Sequence, residues 1–260
     1  NTTVGVAAAG ALVFTGDTTV TGNLTVTGSL TSTSGVLSLG ADLSLPTAAG
    51  SFVASGGTIR FTGTGDQAVN PGLNGAGIPN IFTTIDIAKT GGSISFITSP
   101  LEVTTLSQTT ADAFVLTFEE NLTVTNAVTF NTSGMLTLGD ADTDVFTFSG
   151  GVSHTTGGTA LSGTLQTSDD AIALQNISLG SASAITTGNG IIQINGNITG
   201  GGYNLTLVSG SGATTVSGNA AGLGTVTLQS DVAGATGTVR FEGGFTATSI
   251  TTYGRAYDIS

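Results

Sequence analysis

Three aspartates at alternate positions are the strongest candidate for metal chemistry in this sequence. Asp140, Asp142 and Asp144 lie in the stretch GDADTD, and a D-x-D-x-D pattern opens the calcium-binding loop of EF-hands, where carboxylate oxygens bind Ca²⁺. The glycine and the closing glutamate of such a loop are missing here. We therefore predict a solvated acidic turn that is at most a weak Ca²⁺ site, and we assign no metal and no cofactor to the chain.

Carboxylate pairs could provide the acid and base of a sugar-cleaving enzyme. Glu119–Glu120 and Asp169–Asp170 are such pairs, but neighbouring residues on a strand point to opposite faces, so one pair cannot flank a glycosidic bond. His154 is the only histidine and lacks an evident Ser or Asp partner, so we expect it at an exposed corner. The basic side chains are few and scattered: Arg60, Lys89, Arg240 and Arg255. These residues predict no enzymatic activity.

The elements that must position these residues are short strands. Over residues 18–45, apolar residues alternate with small polar ones, and a glycine recurs about every six residues. Period-two alternation indicates strands with one buried face. A chain that turns this often winds into coils, and three faces of about six residues give a coil of roughly 18–25 residues. The inward residues predicted from the alternation are Leu24, Val26, Leu37, Leu39, Leu43 and Leu45. We predict an all-β parallel β-helix, or β-solenoid.

Composition narrows the classes of partner. The chain has 260 residues with 41 Gly, no Cys, only 8% charged residues and a net charge of −12. Nucleic acid and anionic membrane surfaces need basic patches, so neither is expected as a partner. No apolar run is long enough for a transmembrane helix, and we predict no membrane insertion. We expect one continuous solenoid over residues 1–260, with a loop excursion at 62–81 where Pro71 and Pro79 fall.

A longer repeat overlies the coils. LEVTTLSQTTADAFVLT at 101–117 matches FTATSITTYGRAYDIS at 245–260 in its inward positions. We interpret 101–244 as one long internal repeat and 245–260 as the start of the next. Solenoids need atypical capping repeats at their ends, and neither end of this sequence diverges in that way. The expectation is end-to-end continuation, within a longer chain or between subunits.

A resemblance to a known family lies in these same stretches. LTVTNAVTFNTSGMLTLGDADTDVFTFSGG, GGYNLTLVSGSG and SITTYGRAYDIS resemble the giant β-strand-repeat exoproteins of bacteria, which are similar to filamentous haemagglutinin and other large secreted adhesins. The resemblance implies a right-handed β-helix and an extracellular or cell-surface location. It also implies a structural module of a secreted fibre or adhesin, with other copies and surface glycans as partners. The alternative is a β-helical domain that binds or degrades polysaccharide.

Overall fold

The computed structural model describes residues 4–6, 10–45, 52–230, 234–254 and 258–259. These residues form 27 strands, and no helix occurs among them. The strands pair in parallel, each with the strand one coil further along the chain. The predicted all-β, parallel β-solenoid is therefore confirmed. Residues 255–257 and 260, which belong to the predicted start of the next repeat, lie outside the described residues.

The chain divides into two compact units, so the prediction of one continuous body stays a prediction. Unit 1 contains residues 1–125 and 131–134, and unit 2 contains residues 126–130 and 135–260. The strands of unit 1 are β1 (Val4–Val6), β2 (Ala11–Val13), β3 (Thr18–Val20), β4 (Leu24–Val26), β5 (Ser29–Thr31), β6 (Val36–Leu39), β7 (Leu43–Ser44), β8 (Phe52–Val53), β9 (Thr58–Gly63), β10 (Gln67–Asn70), β11 (Ile81–Lys89), β12 (Ser93–Phe96), β13 (Leu101–Gln108), β14 (Val115–Phe118) and β15 (Leu122–Val124).

Unit 1 begins with three faces per coil. Strands β1, β4, β7, β10, β12 and β14 stack on one face, which we call face A. Strands β2, β5 and β8 form a separate three-stranded sheet. Strands β3, β6 and β9 and the second parts of β11 and β13 stack on the remaining face. β15 instead pairs with the first part of β13, at Leu101–Val103. On each face the apolar side chains thus point toward the interior of the coil, as the alternation predicts.

The predicted loop excursion at 62–81 is narrower in the structure. Residues 67–70 form β10, which pairs with β7 on one side and β12 on the other. The irregular part is 71–80, where Leu73 and Pro79 form an isolated antiparallel bridge. The reason is the alternation of Gln67 and Val69, both buried, which keeps this segment in the stack although prolines follow it. The loop lies between β10 and β11, and Phe82 at the start of β11 packs against Phe52 of β8, with ring centroids 4.5 Å apart.

Unit 2 repeats the three-faced arrangement. Its first three strands pair with successive parts of one long strand, which in turn pairs with a second long strand, and both run round the corners of their coils. The strands of unit 2 are β16 (Val128–Thr129), β17 (Leu136–Leu138), β18 (Val145–Phe148), β19 (Val152–Gln166), β20 (Ile172–Thr186), β21 (Ile192–Ile194), β22 (Ile198–Thr199), β23 (Leu205–Val208), β24 (Thr214–Val216), β25 (Ala220–Leu228), β26 (Val239–Phe241) and β27 (Phe245–Thr252).

The coils are close to the predicted length. Gly158 pairs with Asn176, 18 residues on, and Gln67 pairs with Ile94, 27 residues on. The predicted inward residues are confirmed, because Leu24, Val26, Leu37, Leu39, Leu43 and Leu45 are all buried. A fully buried leucine contributes about 1.5–3 kcal/mol relative to an exposed one. Columns of Leu, Ile, Val and Phe therefore account for most of the favourable energy of each unit.

Candidate functional site

The acidic turn at Asp140–Asp144 binds its own backbone. Asp140 and Asp142 are exposed, whereas Asp144 is buried. The Oδ2 atom of Asp144 accepts the backbone N–H groups of Asp140 and Ala141, each at 3.0 Å. A carboxylate that accepts N–H groups of its own turn holds that turn closed. This geometry gives Asp144 a structural role, with the other two carboxylates directed to solvent.

His154 lies in the core, so the expectation of an exposed corner residue is wrong. The side chain is 0% exposed, its Nδ1 atom is 3.0 Å from the Oγ1 atom of Thr159, and its ring packs edge-on against Phe130. The alternation explains the error, because His154 is two residues after the buried Val152 on β19. In a strand those two positions share a face. The histidine is a buried, hydrogen-bonded core residue.

The carboxylate pairs lie at the surface. Asp169 and Asp170 are exposed in unit 2, and the Oδ1 atom of Asp169 accepts the side-chain N–H of Asn189 at 2.9 Å. Glu119 is half-buried and Glu120 exposed in unit 1. Throughout the described part of the chain, no group of three or more His, Cys, Asp or Glu residues is placed to hold a metal ion.

An ion pair that the sequence did not indicate lies on the outer face of β9 and β11. The Nε atom of Arg60 is 2.7 Å from the Oδ2 atom of Asp86, whose side chain is 3% exposed against 40% for the arginine. Ser107 and Thr109 donate hydroxyl hydrogen bonds to the same carboxylate. Parallel pairing places Arg60 opposite Asp86, and Asp86 opposite Ser107. These contacts satisfy the carboxylate and join three successive strands.

Lys89 is a further polar residue that is buried inside the solenoid. It is 0% exposed, and its ammonium group donates to the carbonyl of Gly65 at 2.6 Å and to the Oε1 atom of Gln67 at 3.0 Å. Burial lowers the pKa of Lys89 below its usual value, and the nearby charge of Asp66 partly opposes that shift. The sequence indicates this burial, because Lys89 continues the inward series of Ile85 and Ile87.

Asparagines form a hydrogen-bonded ladder along one corner of unit 2. The Oδ1 atom of Asn176 accepts the backbone N–H of Asn197 at 2.9 Å, and that of Asn197 accepts the N–H of Asn219 at 2.8 Å. The Oδ1 atom of Asn219 in turn accepts the N–H of Gly244 at 2.8 Å. Each amide thus satisfies a backbone donor one coil further on, at a corner where the strand pairing is interrupted.

The outer edge of β27 is open in the described structure. β27 pairs with β25, and no described strand pairs with its other side. Ile250 stacks opposite Val226 yet is 53% exposed. The matching residue of the long repeat, Leu106 on β13, is 2% exposed. Both strands are eight residues long. The same sequence pattern is therefore buried at one place in the chain and open at the other.

Neither the protein-family models, nor the curated proteins, nor the solved structures contain a match to the chain. Among the described residues, no helix could reach across a bilayer. The fold and the contacts described above are therefore the basis for any functional inference.

Proposed function

We propose that the chain is a structural module of an extracellular fibre or surface adhesin, and that its coils continue end to end through the open edge of β27. The observation that carries this proposal is the exposure of Ile250, 53% against 2% for its counterpart Leu106. An apolar residue in the inward register of a solenoid loses favourable burial energy when the next coil is absent.

The open backbone edge supports the same proposal. A strand edge presents a row of N–H and C=O groups that readily pair with another strand, and proteins usually cap, cover or charge such edges. β27 contains no charged residue, and its outward side chains are Thr and Ser. It has none of the lysines or prolines that commonly protect an edge. A further strand, from the same polypeptide or from another copy, fits this edge by parallel pairing.

The first strands of unit 1 present a complementary edge. β2 pairs with β5, and within the described residues it has no second partner. Leu12 is only half-buried, although it lies opposite Leu30, which is 0% exposed. Because the edges of β2 and β27 differ, contact between copies would be heterologous, and heterologous contacts that do not close into a ring produce filaments.

The composition fits an extracellular setting. The chain has no cysteine and a net charge of −12, and Thr, Ser and Asn occupy many outward positions of its strands. Such faces keep a solenoid solvated, and net charge of one sign opposes clumping of parallel fibres through their sides. Growth through the ends alone is the expected result. This placement outside the cell is part of the proposal.

The alternative is a β-helical domain that binds or degrades polysaccharide. Retaining and inverting glycosidases need two carboxyl groups on opposite sides of the scissile bond. Of the two ion pairs in the described chain, the shorter joins Asp86 to Arg60. The carboxylate of Asp86 is buried and accepts hydrogen bonds from Arg60 and from two hydroxyl groups. That environment favours a structural role for the pair over acid–base chemistry.

The proposal is tested by the concentration dependence of assembly. Residues 1–260 should form linear oligomers as concentration rises, measured by sedimentation velocity and by negative-stain microscopy. Ile250→Lys places a charge in the proposed contact and should abolish the oligomers while leaving the circular dichroism spectrum unchanged. The matched control is Ile191→Lys, because Ile191 is also about half exposed, at 51%, but lies away from β27.

Two results would contradict the proposal. One is a chain that stays monomeric at every accessible concentration. The other is an Ile250→Lys variant that assembles as readily as the wild type and the Ile191→Lys control, since an end contact through β27 cannot tolerate a buried unpaired charge.

A further inference from the structure

A polar concavity lies on the outer side of face A in unit 1. Its volume is about 280 Å³, close to the lower end of the range for small-molecule sites. Strand pairing places Thr25 opposite Ser44, and Ser44 opposite Asn70, so three polar side chains form a column across it. Asn23, Asp42, Ala68, Ile97 and Thr98 also line it.

One wall of this concavity is a strained turn. The backbone N–H of Ser99 donates to the carbonyl of Ile97 at 2.8 Å, and the residue between them, Thr98, has a φ of 72°. A three-residue turn with a positive central φ is rare and strained, the more so for a β-branched residue. Backbone strain of this kind costs of order 1–3 kcal/mol and concentrates at binding and catalytic sites.

A buried hydroxyl without a partner adjoins the same turn. Ser99 is 2% exposed, and its Oγ atom is the one buried side-chain polar atom in the described chain that has no hydrogen bond. Leaving such a group unpaired costs about 1–3 kcal/mol. The strained Thr98 and the unpaired Ser99 together indicate that this corner is shaped by something other than stability.

Two polar side chains of the concavity are held in place by the backbone. The Oδ1 atom of Asp42 accepts the N–H of Ala68 at 2.9 Å, and the Oδ1 atom of Asn70 accepts the N–H of Gly72 at 3.0 Å. These bonds fix the carboxylate and the amide while leaving the Oδ2 atom of Asp42 as an acceptor and the Nδ2 atom of Asn70 as a donor. A ligand would meet polar groups that are already oriented.

We infer that this concavity binds a neutral sugar residue. A sugar hydroxyl is both donor and acceptor, so it pairs with the amides, hydroxyls and carboxylate that line the site. The small apolar patch of Ala68 and Ile97, both half-buried, can contact the C–H groups of a sugar ring. No basic side chain lines the site, and Asp42 together with the chain's net charge of −12 disfavours phosphate, sulfate and uronic acids.

The inference goes beyond the proposed structural role and does not depend on it. Every lining residue belongs to unit 1, and none lies on β2 or β27. A chain that fails to assemble could still bind the sugar, and a chain that assembles could still lack the site. In the proposed fibre, the site would recur once in each copy and could bind a glycan-bearing surface through many weak contacts.

The test is saturation-transfer NMR on the full chain with four neutral probes: the methyl glycosides of glucose, galactose, mannose and N-acetylglucosamine. At least one should receive saturation from the wild-type protein. Ser44→Leu, which fills the centre of the column, should weaken that binding by about tenfold or more. Asp42→Asn retains the acceptor for Ala68 and should weaken it as well. Ser178→Leu is the control, because Ser178 is an equally half-buried outward serine on β20.

Three results would overturn the inference. The first is that none of the four glycosides binds the wild-type protein. The second is that Ser44→Leu binds as well as Ser178→Leu while both retain the wild-type circular dichroism spectrum. The third is that the methyl glycoside of glucuronic acid binds at least as tightly as the best neutral glycoside, because the charge of Asp42 must then have no role in recognition.

Discussion

At the residue scale, the carboxylate of Asp144 stabilises the acidic turn to which it belongs. The Oδ2 atom of Asp144 accepts two backbone N–H groups at 3.0 Å each, and hydrogen bonds to a charged group contribute about 1.5–3 kcal/mol. The side chains of Asp140 and Asp142 are exposed and take no part in these two bonds, although the backbone N–H of Asp140 is one of the donors. The turn is therefore held by its own hydrogen bonds, and no bound cation is needed to explain its shape.

We predict that Asp144→Ala lowers the free energy of unfolding by about 1–3 kcal/mol, because two backbone donors lose their acceptor. Asp142→Ala, in the same turn but exposed, should change it by less than about 0.5 kcal/mol. Urea unfolding measures both. A chelator should leave the melting temperature of the wild type unchanged. A large fall on chelation that added Ca²⁺ reverses would instead make Asp140, Asp142 and Asp144 a structural calcium site.

The lowered pKa of Lys89 leads to a prediction of how the free energy of unfolding depends on pH. Burial lowers its pKa in the folded chain below the ordinary value of 10.5, so between these two pKa values the unfolded chain binds a proton that the folded chain has lost. Stability rises with pH wherever the unfolded state binds more protons. The contribution of Lys89 is therefore least favourable at neutral pH and improves as pH rises through the lowered pKa toward 10.5.

The measurement compares the wild type with Lys89→Met by urea unfolding between pH 7 and pH 10.5. The difference in unfolding free energy should move in favour of the wild type as pH rises, by about 1.4 kcal/mol for each unit by which the pKa is lowered. Lys89 is the only lysine in the chain. A difference that stays constant across this range would mean that the buried ammonium keeps an ordinary pKa.

The burial of apolar residues could be predicted from the sequence more readily than the burial of polar ones. Leu37 and Leu39 were predicted inward and are buried, because an alternating apolar pattern reports directly on the face of a strand. Lys89 and His154 are in phase with Ile87 and Val152, so the same rule could have placed them inside. The polarity of His154 argued for an exposed corner. The partners that make the burial of such residues tolerable, such as Gln67 for Lys89, come from another coil and cannot be found in a local pattern.

At the element scale, the asparagine ladder shows how corners are held where strands stop. Asn176, Asn197 and Asn219 each accept a backbone N–H from the coil that follows. Asparagine suits this position because its side chain is short enough to bond backbone groups nearby. The ladder thus carries hydrogen bonding past the corner, from one strand face to the next.

We predict that Asn197→Ala lowers the free energy of unfolding by about 0.5–1.5 kcal/mol, because the N–H of Asn219 loses its acceptor. Amide exchange at Asn219 should accelerate in the same variant. Asn195→Ala is the control, since Asn195 is exposed two residues earlier and is not part of the ladder. Equal effects of the two substitutions on stability and on exchange at Asn219 would show that the ladder contributes nothing specific.

The extent of the irregular loop was harder to predict than the strands around it. Glycine and proline signals over 62–81 predicted one excursion, yet β10 at Gln67–Asn70 pairs on both sides. Strand formation there depends on neighbours in the coils before and after, a non-local effect that overrides local propensity. The polar concavity on face A has the same origin, because Asn23, Asp42 and Thr98 are far apart in sequence and are brought together by stacking.

At the scale of the whole molecule, the central claim is that the chain is a repeating structural module. Its coils bury apolar columns, its outer faces are polar, and the edge of β27 leaves Ile250 exposed where Leu106 is covered. These features favour continuation along the stacking direction. Repeat proteins gain stability from each neighbouring interface, so each additional copy would stabilise the coil it covers.

Diffraction from oriented, assembled material tests this claim most directly. Stacked strands lie about 4.7–4.9 Å apart along the hydrogen-bonding direction, so concentrated residues 1–260 should form fibres with a strong reflection at that spacing along the fibre axis. The strands would then run perpendicular to the axis, as end-to-end stacking requires. A reflection at this spacing across the axis, or concentrated protein that forms no fibres, would contradict the account.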